Sequence, residues 1–273
     1  MVLPRFTKQP NDMVKNIFKI TLLCSVLVSG LSQAQLFRTK DRMDKFQEFD
    51  EQKFSWGFFL AGNNFDYKLV LDPQLGMNGK QNAVQSKGSY SFGAGLIGKM
   101  KLNDSFDLRL EPGLQFVQRE LVFDTQENSE FAPGTTSIPP FTPRTLTDAD
   151  KKRNLKSTYL DVPLLLEFHG DRWYNSRPYA AAGVNYMANL QSNQNAIEDN
   201  ASTVFRSTTH NFGWSVEAGL QFYFSRFKLT PGFRGTFVMN NELVKDNAET
   251  PPYWASAISA MHSRVFMFVL KFE

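Results

Sequence analysis

The sequence predicts an all-β chain, a single eight-stranded antiparallel up-and-down β-barrel that crosses a membrane. Three observations carry this. Apolar and polar residues alternate with a period of two over eight segments, the signature of strands with two distinct faces. The links between those segments are long and short in turn, as in barrels with short turns on one rim and long loops on the other. The N-terminus carries an export signal. Composition agrees. Of 273 residues, 42% are hydrophobic, 26 are Phe and only 21% are charged. Past the N-terminus no apolar run reaches the roughly 18 residues of a membrane helix.

Residues 13–35 read MVKNIFKITLLCSVLVSGLSQAQ. Lys15 and Lys19 precede a short apolar stretch, Ile20 to Leu31. Ser32-Gln33-Ala34 then offers small residues for cleavage after Ala34. Residues 1–34 are therefore expected to be a signal peptide, with Met13 as an alternative start. Cys24 is the one cysteine. It lies inside the signal and follows the bulky Leu23, which argues against lipidation. The mature chain is left with neither disulfide nor thiol chemistry. Removing the signal also balances the remaining bases and acids, so the folded part lacks the basic excess of a nucleic-acid binder.

Residues 35–53 form a charged segment before the barrel, expected in the periplasm because the short turns face that side. Met43, Phe46, Phe49 and Phe54 recur at three to five residues among its charges, the spacing of a short amphipathic helix. The barrel occupies 54–273. Its strands are expected near 54–71, 88–102, 106–119, 157–169, 177–190, 208–224, 227–241 and 261–272. In the first, Trp56, Phe58 and Leu60 are even, whereas Phe65, Tyr67, Leu69 and Leu71 are odd. That change of phase predicts a bulge or bend across Ala61–Asn64. The links 72–87, 120–156, 191–207 and 242–260 are long; 103–105, 170–176 and 225–226 are short.

Register follows from the turns. If Ser225-Arg226 is a two-residue turn, Phe222 faces Leu229, Ala218 faces Phe233 and Trp214 faces Phe237. On the other face Tyr223 meets Lys228, Gly219 meets Gly232 and Glu217 meets Arg234. Apolar pairs with apolar and acid with base, as cross-strand pairing favours. A three-residue link at 103–105 likewise sets Met100 opposite Leu108 and Lys101 opposite Asp107. The bulky face is too large for an eight-stranded interior, so it is expected to face lipid, with the small and charged residues inside. A soluble lipocalin-like barrel would reverse this. Closure is required, since an open edge would leave backbone groups unpaired in hydrocarbon.

Tyr159-Leu160-Asp161-Val162-Pro163-Leu164-Leu165-Leu166 resembles the recurrent Tyr-Leu-acid-Val/Ile-Pro-Leu-Leu strand of the outer-membrane β-barrels of Bacteroidota. Arg177-Pro178-Tyr179-Ala180-Ala181-Ala182-Gly183 resembles the strand that follows it there. Phe92–Gly95 and Val216–Leu220 fit the same scheme, so the resemblance covers about 54–273. Within that group the chain is most similar to the PorT family (SprT in gliding bacteria). The resemblance implies an accessory outer-membrane component of type IX protein secretion, with a role in gliding motility where it occurs. It implies no catalytic residue. A Pro-rich insertion near 131–143 has no counterpart among these motifs.

The charges expected inside the barrel are Lys99, Lys101, Asp107, Arg109, Glu111, Asp161, Glu167, Glu217, Lys228, Arg234 and Lys271. They make either a polar passage for a small solute or a salt-bridged plug. Eight strands leave no continuous aqueous channel, which favours the plug. Candidate partner contacts are Phe46 and Phe49 before the barrel, Phe141 in the Pro-rich loop and Tyr253-Trp254 in the last loop. Expected partners are outer-membrane lipid, other secretion-system subunits and the barrel-insertion machinery, which reads terminal strands such as Phe268–Glu273. His210 and His262 fall near the long-loop rim and His169 near the other, so they do not predict a ligand set. No metal, cofactor or catalytic residue is expected, and HExxH, paired-Cys and EF-hand spacings are absent from the sequence.

Overall fold

The computed structural model describes residues 47–73, 77–78, 81–123, 151–197, 205–245 and 255–273. The chain divides into Met1–Met43 and the compact unit Asp44–Glu273. The first unit, with the expected signal peptide, lies outside the described residues.

Twelve strands are described, and ten of them make eight staves. A short helix, α1 (Gln47–Glu51), leads into β1 (Phe54–Leu71). The two-residue strands β2 (Met77–Asn78) and β3 (Gln81–Asn82) pair with each other in the first long link. Next come β4 (Val84–Gly88), β5 (Tyr90–Lys101), β6 (Phe106–Leu110), β7 (Gly113–Phe123), β8 (Lys152–His169), β9 (Ser176–Asn189), β10 (His210–Tyr223), β11 (Lys228–Val238) and β12 (Ile258–Phe272). β4 and β5 form one stave, and so do β6 and β7. Across Glu111-Pro112 the register with β8 is unchanged, from Leu110↔Leu164 to Gly113↔Asp161. Proline there donates no hydrogen bond, so the ladder skips a rung without changing phase. β1 pairs with β12 on one side and β5 on the other, which closes the ring.

The expected registers are present. Phe222 faces Leu229, Glu217 faces Arg234 and Trp214 faces Phe237; Met100 faces Leu108 and Lys101 faces Asp107. One expectation is corrected. β1 has no bulge at Ala61–Asn64: its odd residues face inward from Ser55 to Leu71, and its pairing with β12 stays in register as far as Val70. The shift lies in the neighbouring stave, at Ser89. There the pairing with β7 moves by one residue, between Gly88↔Arg119 and Gly93↔Gln115, and the inward face changes from even to odd residues.

The apolar change of phase in β1 has another cause. In its first half the outward residues Phe54, Trp56, Phe58 and Leu60 are apolar and exposed. In its second half the inward Phe65 and Tyr67 are apolar and buried, while Asp66 and Lys68 point outward. β7, β8 and β12 invert in the same way. Leu114 and Phe116 face out, but Leu121 and Phe123 face in. Toward the long loops Lys152, Asn154 and Lys156 are exposed while Leu155 is buried. The inward residues at this end join an apolar cluster with Val84, Leu243, Ala257, Ile258 and Met261. Part of the wall thus continues beyond the apolar belt, dry inside and polar outside.

Candidate functional site

The strands bring six charged side chains to the centre of the barrel, none more than 2% exposed. Three are cations: Arg109 on β6, Arg234 on β11 and Lys271 on β12. Three are carboxylates: Glu111 at the β6–β7 break, Glu167 on β8 and Glu217 on β10. Glu217 accepts from Arg109 Nη2 at 2.8 Å, Arg234 Nε at 2.7 Å and Tyr179 Oη at 2.8 Å, and also binds Lys271. Glu111 lies 2.9 Å from Arg109 Nε and 3.3 Å from Lys271 Nζ, and it binds Arg234. Glu167 binds Arg109 and accepts from Gln221 Nε2 at 2.6 Å. The group is balanced three against three, so charge cancels within it. An isolated charge in so dry a site would cost several kcal/mol. Six adjacent staves contribute to the network, if Tyr179 of β9 is included. Its ring lies over the cross-strand pair Gly219↔Gly232, where a Cβ on Gly219 would come within 2.9 Å of Tyr179 Cε1.

Toward the short turns the lumen holds a second set. Lys99 Nζ lies 2.8 Å from Asp107 Oδ2, with His169 Nε2 3.2 Å from the same oxygen. Lys228 Nζ is 2.5 Å from Glu273 Oε2. Burial opposes ionisation of Glu273, but the Lys228 and Lys99 ammoniums outweigh it and hold the carboxyl down to about 2. Helix α1 sits across this mouth. Asp50 Oδ1 accepts from Tyr223 Oη at 2.9 Å, Asp50 Oδ2 from Arg172 Nη1 at 3.2 Å, and the Asp50 carbonyl from Lys101 Nζ at 3.0 Å. The Phe49 ring lies 4.6 Å from Lys228 Nζ. Beneath the helix a cavity of about 190 Å³ remains, lined by Lys99, Asp107, His169 and Arg177 among others.

The long-loop half holds a buried group that the alternation did not single out. Arg119 is buried with its guanidinium 3.6 Å from the Tyr67 ring centre. It donates to Ser263 Oγ at 2.7 Å and to Tyr159. Glu242, in the last long link, accepts from Ser263 N at 2.6 Å and Oγ at 3.0 Å. Burial pushes the Glu242 carboxyl above its usual range, against the pull of Arg119. Arg119 shares the odd, inward phase of the third stave, a signal that could have found it. Glu242, in a loop, gave no periodic signal.

Of the residues expected in the lumen, Lys99, Asp107, Arg109, Glu111, Glu167, Glu217, Lys228, Arg234 and Lys271 take part in the ion pairs above. Asp161 is buried and accepts from Asn185 Nδ2 at 3.1 Å. Lys101 stands at the mouth, 3.0 Å from Asp104 in the adjoining turn. Phe46, Phe141, Tyr253 and Trp254 lie outside the described residues. His210 faces outward and meets Tyr186 Oη at 2.7 Å, His262 is also on the outer face of β12, and His169 is inside at the far end. Among the described residues no group of three or more His, Cys, Asp or Glu is placed to hold a metal.

A closed antiparallel ring with bulky apolar residues outside and neutralised charge inside defines a barrel built for a membrane. This chain belongs to the family described as outer membrane protein beta-barrel domain, whose pattern matches residues 33–244. The family places it in the outer membrane. No curated protein matches the chain. Among solved structures it is similar to the outer membrane protein OprG of Pseudomonas aeruginosa, at 15% identity over 79% of this chain and 93% of that one, with a TM-score of 0.38. It is similar to Neisserial surface protein A at 11% identity over 81% and 98%, TM-score 0.38. The outer membrane protease OmpT of Escherichia coli is 9% identical over 80% and 95%, TM-score 0.34.

Proposed function

We propose that this barrel is a sealed, non-enzymatic component of the type IX protein secretion system. It stands with its short turns and residues 35–53 in the periplasm and its long loops outside. The observation that carries the sealed reading is the lumen, where six mutually paired charges occupy the centre of the barrel. A passage for solutes needs a wet, continuous path, and this interior has its polar groups turned on one another. The secretion reading is supported by the features that resemble the PorT family: the charged segment before the barrel, the Tyr159–Leu166 strand and the overall size. Its work is then done at the two rims, by contact with other subunits. Phe46 and Phe49 before the barrel, and Phe141, Tyr253 and Trp254 in the loops, are the proposed contacts. Phe268–Glu273 is the proposed signal to the barrel-insertion machinery.

Deleting the gene tests this. Secretion-system cargo should accumulate inside the deletion strain and return to the surface when the wild-type chain is restored. Normal cargo export together with altered uptake of a small solute would instead make it a general solute barrel and overturn the proposal.

A further inference from the structure

The outer wall is notched. Across β10, β11, β12 and β1 a groove of about 830 Å³ interrupts the apolar belt, walled by Phe233, Phe237, Phe266 and Phe268 and floored by Gly62 and Gly235. Gly62 faces outward, and a Cβ built there would meet nothing within 4 Å. Backbone is therefore laid bare between aromatic rims, where a hydrocarbon chain would find close contact.

Charge stands at one end of this groove. On β12 the outward residue after Phe266, toward the long loops, is Arg264. Register sets it beside Phe237 of β11 and Asp66 of β1. Arg264 Nη2 lies 3.1 Å from Asp66 Oδ2, yet its side chain remains 42% exposed. Asp66 is itself fixed, accepting from Ser86 Oγ at 2.7 Å and Tyr67 N at 2.9 Å. The carboxylate thus orients the guanidinium while leaving part of it open. Two residues further on, Lys68 is exposed and pairs across the strands with His262.

We propose that the groove and its cationic end form a binding site for a phosphorylated acyl lipid of the leaflet on the long-loop side. An acyl chain lies along the aromatic rims over Gly62, and the phosphate meets Arg264 and Lys68. The apolar part alone would take any chain. The cations add the preference, because a guanidinium binds phosphate through directed, charge-assisted hydrogen bonds and each cation near a membrane surface favours an anionic headgroup. Asp66 acts as a positioning residue for Arg264.

The test uses the full barrel in micelles of an uncharged detergent, doped equally with dioleoyl phosphatidic acid and dioleoyl phosphatidylcholine. Bound lipid is counted by native mass spectrometry. Phosphatidic acid should be retained about 25-fold over phosphatidylcholine. Arg264→Ala and Lys68→Ala should each reduce that preference about fivefold. Gly62→Leu, which enters open space, should lower retention of both lipids while the barrel keeps its folded gel mobility. Millimolar inorganic phosphate should displace nothing, which separates a lipid site from a free-anion site. Equal retention of the two lipids by the wild type, an unchanged preference in Arg264→Ala, or displacement by inorganic phosphate would each overturn the proposal.

Discussion

Glu217→Leu should destabilise the barrel by about 3–5 kcal/mol, the range for removing one partner from a buried ionic group. Glu217 is the acceptor shared by Arg109, Arg234 and Lys271. Without it, three cations face two carboxylates in a site buried from solvent. Tyr179 Oη also loses its acceptor. Equilibrium unfolding in urea, followed by the change in gel mobility between folded and unfolded barrel, reads the loss. Arg234→Leu alone should cost a similar amount. Combining the two removes one charge of each sign and restores balance, so the double variant should be more stable than the sum of the singles by about 0.5–3 kcal/mol. Simple additivity would mean that the two residues are not coupled.

Ala218→Arg should cost about 2–4 kcal/mol, the range for a cation placed at the lipid-facing midplane of a barrel. Ala218 is exposed in the middle of β10 and flanked across the strands by Phe233 and Ala180. An arginine there stands in hydrocarbon with no acceptor. Lys156→Leu is the contrast. Lys156 is also exposed on an outer face, but on the part of β8 where that face has turned polar, and its replacement should change stability by no more than about 0.5 kcal/mol. The same urea titration in lipid vesicles measures both. A soluble barrel with a wetted outer face would show a small effect for both substitutions.

The sequence disclosed the part of the barrel that lies in lipid. There the requirement for apolar residues outside is strict, and every outward residue from Phe212 to Phe224 and from Phe266 to Phe272 is apolar. The Glu217↔Arg234 pair could be placed from a two-residue turn alone, because a slip of one residue would send every charge into the membrane. The ion pairs across the lumen were not accessible in this way. Which carboxylate meets which cation depends on how distant staves curve toward one another. The ends of β7, β8 and β12 toward the long loops were read too short for a related reason. Beyond the belt, water replaces lipid outside and apolar residues move inside, so the hydrophobic alternation inverts while the backbone does not. In β1 that inversion imitated a bulge. The real register shift at Ser89 left little trace, because the residues leading into it, Ser86 to Ser89, are polar on both faces or lack a side chain. The spacing of Met43, Phe46, Phe49 and Phe54 allowed either a short helix or a disordered leader, and the place of α1 over the short-turn mouth rests on Asp50, an acid no different in sequence from its neighbours.

In the function proposed for this barrel, the lumen is closed by its own charges. Single-channel recording of the purified barrel in planar bilayers tests it most directly. Currents should stay at baseline across the applied voltages in salt solution, with no discrete steps. Steady, reproducible single-channel steps from the wild-type protein would show a continuous wet path through the ring of Arg109, Glu111, Glu167, Glu217, Arg234 and Lys271, and would contradict the account.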